Sequence, residues 1–221
     1  MLRKELTYYF STPIAYIVIG LYLIGMSLFL WVIPGEWNIL DSGYAQVDGL
    51  FQLSPWFFMV LCPVLTMRLF AEERSSGTWD ILLTKGLSIS RIVAAKALAA
   101  WILLLIGILP CLVHYGLVYW LAEPVGNIDL GQFLGGWIGL ILLSGAMISV
   151  GVLAGSVTQS QVVAFILGAV ANFGLYWVLM QDHYLSMARG VIDSRDVFFF
   201  TTLILTAFLL TCVILNKVTH K

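Results

Sequence analysis

The chain has 221 residues, 61% of them hydrophobic and only 10% charged, against roughly 25% charged in soluble domains. Mean hydropathy is +0.98. A net charge of -1 gives no electrostatic basis for binding nucleic acid. The composition excludes an ordinary soluble domain and reads as an all-α polytopic membrane protein.

A helix needs about 20 largely apolar residues to cross the hydrocarbon core. Six such segments are predicted, at 14–33, 52–70, 92–121, 133–157, 162–180 and 197–215. Arg3 and Lys4 precede the first, which is long enough to span and has no signal-peptidase-like site after it. In the second, Ser54-Pro55 is an expected helix start and Pro63 an expected kink. Placing both termini in the cytoplasm puts nine of the eleven Lys and Arg residues inside and only Arg189 and Arg195 outside, which fixes the orientation. The outer loops are short, so the chain is a single transmembrane domain over 1–221.

Glu72 to Ser90 form the largest internal cytoplasmic segment. Ser75, Ser76 and Gly77 end the preceding helix, and Thr78 is a candidate N-cap. Asp80 then falls in a first turn, and Trp79, Leu82 and Leu83 share one apolar face of a short helix that Gly86 can end. Such a helix can lie on a membrane or insert into a groove on a partner. The single base within it, Lys85, is weak attraction for anionic lipid. Glu72, Glu73 and Arg74 sit at the membrane boundary, where they pair with one another or with a partner.

In the fourth segment Gly131, Gly135 and Gly139 recur every four residues, and Gly151 and Gly155 repeat the step. Small residues at this spacing let helices approach closely in lipid. They serve packing within the chain, a subunit interface, or a sliding contact. Cys62, Cys111 and Cys212 lie in apolar runs without metal-like spacing. His114 and Asn172 are the clearest polar groups in mid-span, and they lack the embedded acids of a proton-coupled carrier. The spans after Ser144 offer no His to activate it as a protease nucleophile, and no selectivity element of a channel is visible. No phosphate-binding G-x-x-x-x-G-K-[ST] loop occurs. Transport would therefore be powered by a separate ATPase, and the chain is not an enzyme by itself.

Phe70-Ala71-Glu72-Glu73-Arg74, Gly77-Thr78-Trp79-Asp80 and Leu82-Leu83-Thr84 closely resemble the signature of ABC-2 type transporter permeases, a resemblance that extends over essentially the full chain. One departure is Gly86, where these permeases often carry Pro. The segment Ala188 to Val197 is similar to the R-G-V-I-D-x-R-D stretch of gliding-motility-type ABC permeases. The resemblance implies a type V exporter-like fold in a bacterial inner membrane and a dimer of permeases, identical or related. Paired cytoplasmic ABC ATPases would hold ATP and Mg, with no cofactor in this chain, and a second membrane protein with a large extracytoplasmic domain would accompany them. It implies that 72–86 is a coupling helix, acting through Glu72, Glu73, Arg74, Gly77, Thr78, Trp79, Asp80, Leu82 and Leu83. It also implies a re-entrant or interfacial segment at 182–196, with Arg189, Gly190, Asp193, Arg195 and Asp196 at an outer gate.

Overall fold

The computed structural model describes residues 1–79 and 88–219. Asp80, Leu82, Leu83, Lys85 and Gly86 of the expected link helix lie outside the described residues, as does Lys221. The regular structure among the described residues is helical, with six helical segments long and apolar enough to cross a membrane.

The chain opens with a helix that the hydropathy pattern does not isolate, α1 (Leu2–Ser11). Thr12 then turns extended (φ -107, ψ 151), because a residue before proline is driven from the helical region. Pro13, at a helix start where its missing N–H costs nothing, opens the first crossing, α2 (Pro13–Trp31). A short turn of helix, α3 (Ile39–Ser42), follows.

The second crossing joins α4 (Asp48–Thr66) and α5 (Arg68–Ser75), parted at Met67. It starts at Asp48, not at Ser54-Pro55. Pro55 is tolerated inside the helix because the carbonyl it leaves free is taken up elsewhere: Tyr184 Oη donates to Phe51 O at 2.6 Å. Next to it, Ser54 Oγ donates to Leu50 O at 2.6 Å and pairs with Tyr22 Oη at 2.9 Å. Polar groups that looked like a cap are thus buried contacts between helices.

The third crossing runs through α6 (Ile89–Ile108), a 3-10 turn (Leu109–Cys111) and α7 (Leu112–Leu121). Pro110 has no N–H for the carbonyl of Ile106, and the helix changes pitch there. The fourth is α8 (Leu130–Val157), capped by Asp129 Oδ1, which accepts from Gln132 N at 3.1 Å. The fifth is α9 (Gln161–Leu175), a π turn (Tyr176–Met180) and α10 (Gln181–Ala188), continuous to its end. The sixth is α11 (Ser194–Thr219).

The fourth crossing is the hub. Its most apolar stretch is 78% buried, against 22% for the fifth and sixth, so those two present most of their surface outward. α8 packs on α4, α9, α10 and α11, and its glycines permit the approach. A Cβ built on Gly135 would lie 2.6 Å from Met187 O and 2.7 Å from Gly190 Cα. One on Gly151 would lie 2.3 Å from Thr66 Oγ1, and on Gly155 3.3 Å from Thr66 O. Gly139 meets Met187 and Tyr184, whereas Gly131 meets only Asp129 of its own cap. The glycine stripe thus carries close packing within the chain. Asn172 Nδ2 adds an interhelical bond to Met147 O at 3.2 Å, and His114 Nδ1 accepts from Trp31 Nε1 at 2.9 Å.

Candidate functional site

The described part of the charged link is the end of α5 and the turn after it, beside α1 and the first turns of α6. Gly77 takes a left-handed conformation (φ +70), as at a helix C-terminus. Ser76 Oγ donates to Glu72 O at 2.7 Å and Thr78 Oγ1 to Glu73 O at 3.3 Å. Both hydroxyls therefore close α5. Trp79 is 5% exposed and sits edge-on to Phe70, with ring centroids 5.9 Å apart. The sequence places Trp79 on a face offered outward; the structure turns it inward as an anchor for the start of the link.

Three charged residues at the root of the link, Glu72, Glu73 and Arg74, each reach a different neighbour. Glu73 Oε1 lies 2.8 Å from Lys96 Nζ, which also holds Glu5 Oε1 at 3.2 Å. Lys96 is 2% exposed, and its ammonium lies 5.9 Å from the Phe70 ring centroid. An ammonium taken from water is tolerable only when paired and hydrogen-bonded, so the three groups bind α1, α5 and α6 together. Arg74 Nη1 donates to Ser156 O at 2.8 Å, one of the last carbonyls of α8, where a cation suits the negative helix end. Glu72 accepts from Arg68 Nε at 3.0 Å and from Tyr8 Oη at 3.2 Å. This last cluster is the most exposed and contributes least to stability.

Tyr9 Oη donates to Leu65 O at 2.6 Å, in the last turn before the break at Met67. Burial pushes the Tyr9 phenol well above its ordinary range, which keeps it a donor. Tyr8 is also raised, chiefly by burial. Between α1 and the second crossing lies a cavity of about 300 Å³.

Composition and motif together missed two partners here, Glu5 and Lys96. Sequence alone takes Lys96 as a boundary charge. Its distinguishing signal is position: it stands inside the run Ile92 to Leu105, seven residues past the start of α6, with apolar neighbours on both sides.

The opposite end holds the expected outer-gate residues, and the segment 182–196 divides into a helix end, a tight loop and a helix start. Tyr184 and Ala188 are buried on α10, while Val191 and Ile192 are exposed. Arg189 Nε donates to Leu185 O at 3.1 Å. Gly190 (φ +88) lies against the backbone of Gly131 and Gln132. Asp193 Oδ1 accepts from Arg195 N at 2.9 Å, a cap on α11. Asp196 is buried, and its Oδ1 lies 2.7 Å from Nδ1 of His183, whose ring stacks on Phe199 at 4.1 Å. His183 is the partner that the sequence did not single out. These residues do not converge on a single point: Arg189 and Asp193 fasten their own helix ends, while Asp196 joins the fifth crossing to the sixth. Among the described residues no group of three or more His, Cys, Asp or Glu side chains is placed to hold a metal ion.

Residues 39–187 match the model of the ABC-2 family transporter proteins. The chain belongs to the ABC-2 transporter family. Within this ABC-2 protein the match covers the second to fifth crossings, including the whole charged link. The N-terminal helix and the first and last crossings fall outside it, so the Lys96–Glu5 contact ties the shared region to a flanking helix. No curated protein matches the chain. As an ABC-2 protein with six apolar crossings, it is a multi-pass transmembrane permease subunit.

Proposed function

We propose that the chain is the permease subunit of an ATP-driven ABC-2 complex of the gliding-motility type, in a bacterial inner membrane with both termini in the cytoplasm. A separate ABC ATPase docks on residues 72–86 and a second permease completes the transmembrane unit. The observation that carries this reading is the fastening of the link. Its root is held to α1 and α6 through Lys96 and to α8 through Arg74. A push on the link would therefore be delivered to several crossings at once. The inward Trp79 supports the same reading, since a lever needs a fixed end.

The test is a reconstituted complex with a single cysteine at Leu82. Crosslinking to the ATPase during turnover, with no ATP hydrolysis by the permease alone, is the expected result. Failure to crosslink under turnover would sink the coupling role.

A second reading is that hydrolysis drives an extracytoplasmic partner and moves no solute. The close packing of Gly135 and Gly190 against neighbouring backbone favours it, because the outer ends of the fourth and fifth crossings leave little room between them within one chain. A large companion protein co-purifying with a permease dimer whose interface is sealed would favour this reading over export.

A further inference from the structure

The cavity between α1 and the second crossing combines features that no coupling role requires. Its floor is apolar, made by Ile14, Val64, Leu65 and Leu69. Its wall carries three bases, Lys4, Arg68 and Lys96, and three acids, Glu5, Glu72 and Glu73, so the charges balance. They are also separable. Lys96 is committed to two carboxylates. Among the described residues Lys4 makes no ion pair, Arg68 bonds through Nε and Nη2 only, leaving Nη1 uncommitted, and Glu5 is engaged through Oε1 alone. Free donors and a free carboxylate oxygen thus line one neutral, apolar-floored pocket.

Tyr8, which lines the pocket, and Tyr16, at the start of the first crossing, are both exposed, as tyrosines are at a membrane–water boundary. We propose that this cavity binds the headgroup of a zwitterionic phospholipid with a primary amine, phosphatidylethanolamine. The phosphate lies at Lys4 and Arg68, the ammonium at Glu5 and Glu72, and the start of an acyl chain on Val64 and Leu69. An anionic headgroup would leave the acids of the pocket unmatched. This inference needs the membrane-spanning reading but not the ATPase.

Native mass spectrometry of the delipidated full chain, titrated with phosphatidylethanolamine, phosphatidylcholine or phosphatidylglycerol, tests it. Phosphatidylethanolamine should be retained at one saturable site. Lys4→Glu, a change on an exposed side chain, should weaken it about tenfold, the effect of one charge-assisted hydrogen bond. Val64→Trp should abolish it by filling the cavity. Equal retention of phosphatidylcholine or phosphatidylglycerol would overturn the headgroup assignment. Displacement by phosphoethanolamine at lipid-like concentrations would overturn the lipid as its source. Unchanged binding by Lys4→Glu would overturn the site, and the unfolding temperature of each lipid-free variant verifies that the fold is kept.

Discussion

Tyr184 Oη donates to Phe51 O at 2.6 Å, and Phe51 is the residue whose helical partner would have been the N–H of Pro55. A proline in the second crossing is thus accommodated by a phenol from the fifth. Tyr184→Phe leaves a buried carbonyl without a donor and should cost about 1–3 kcal/mol, read by unfolding in mixed micelles. Pro55→Ala restores the missing N–H, so in that background the same change should cost well under half as much. An equal loss in both backgrounds would show that the hydroxyl does not replace the helix bond.

Lys96 balances two carboxylates in a site almost closed to water. Lys96→Met keeps the volume and leaves Glu5 and Glu73 facing each other, which should cost about 3–5 kcal/mol. Adding Glu5→Gln and Glu73→Gln should recover most of that loss. ATP turnover of the assembled complex should stay low in the triple variant if the pairing transmits force. Stability of Lys96→Met within about 1 kcal/mol of the parent would refute the electrostatic account.

The crossings were legible because hydropathy is a property of about 20 residues at once. What the sequence hid depended on pairing across the bundle. Ser54-Pro55 has the local chemistry of a helix start, but its place is settled by Tyr22, 32 residues before Ser54, and by Tyr184, 133 residues after Phe51. Lys96 looks like any boundary base until Glu5, 91 residues earlier, is brought beside it. The helix α1 was hidden in turn because it is short and mixed in polarity, and only its buried Glu5 and Tyr9 reveal which side faces the bundle. The link residues Glu72, Glu73 and Arg74 were legible as a motif, yet their three separate partners were not.

Arg74 donates a hydrogen bond from the root of the link to Ser156 O near the end of α8. Arg74→Ala removes a charge-assisted bond to Ser156 O and should lower stability by about 1.5–3 kcal/mol. Arg74→Lys keeps the charge near the helix end but loses the fixed fork, so it should recover stability only in part. Comparing ATP turnover of the complex with its assembly, by gel filtration, separates the two roles. Normal assembly with reduced turnover is expected. Loss of assembly alone would assign Arg74 to docking and not to transmission.

The glycine repeat predicts a graded series. At Gly135 an added Cβ meets two backbone atoms, Met187 O at 2.6 Å and Gly190 Cα at 2.7 Å, neither of which can swing aside. Gly135→Ala should therefore separate α8 from the end of α10 and cost about 1–3 kcal/mol, as overpacking does. Gly131, four residues earlier on the same stripe, meets only Asp129 Oδ1 at 3.2 Å, and Gly131→Ala should fall within about 0.5 kcal/mol of the parent. Gly174, with nothing within 4 Å, is the control, and alanine there should be neutral or slightly stabilising through helix propensity. Unfolding of the three variants in one detergent decides the matter. If Gly131→Ala proved as damaging as Gly135→Ala, the stripe would have to be serving a contact outside the single chain, since among the described residues only the side chain of its own cap, Asp129, lies near a Cβ at Gly131.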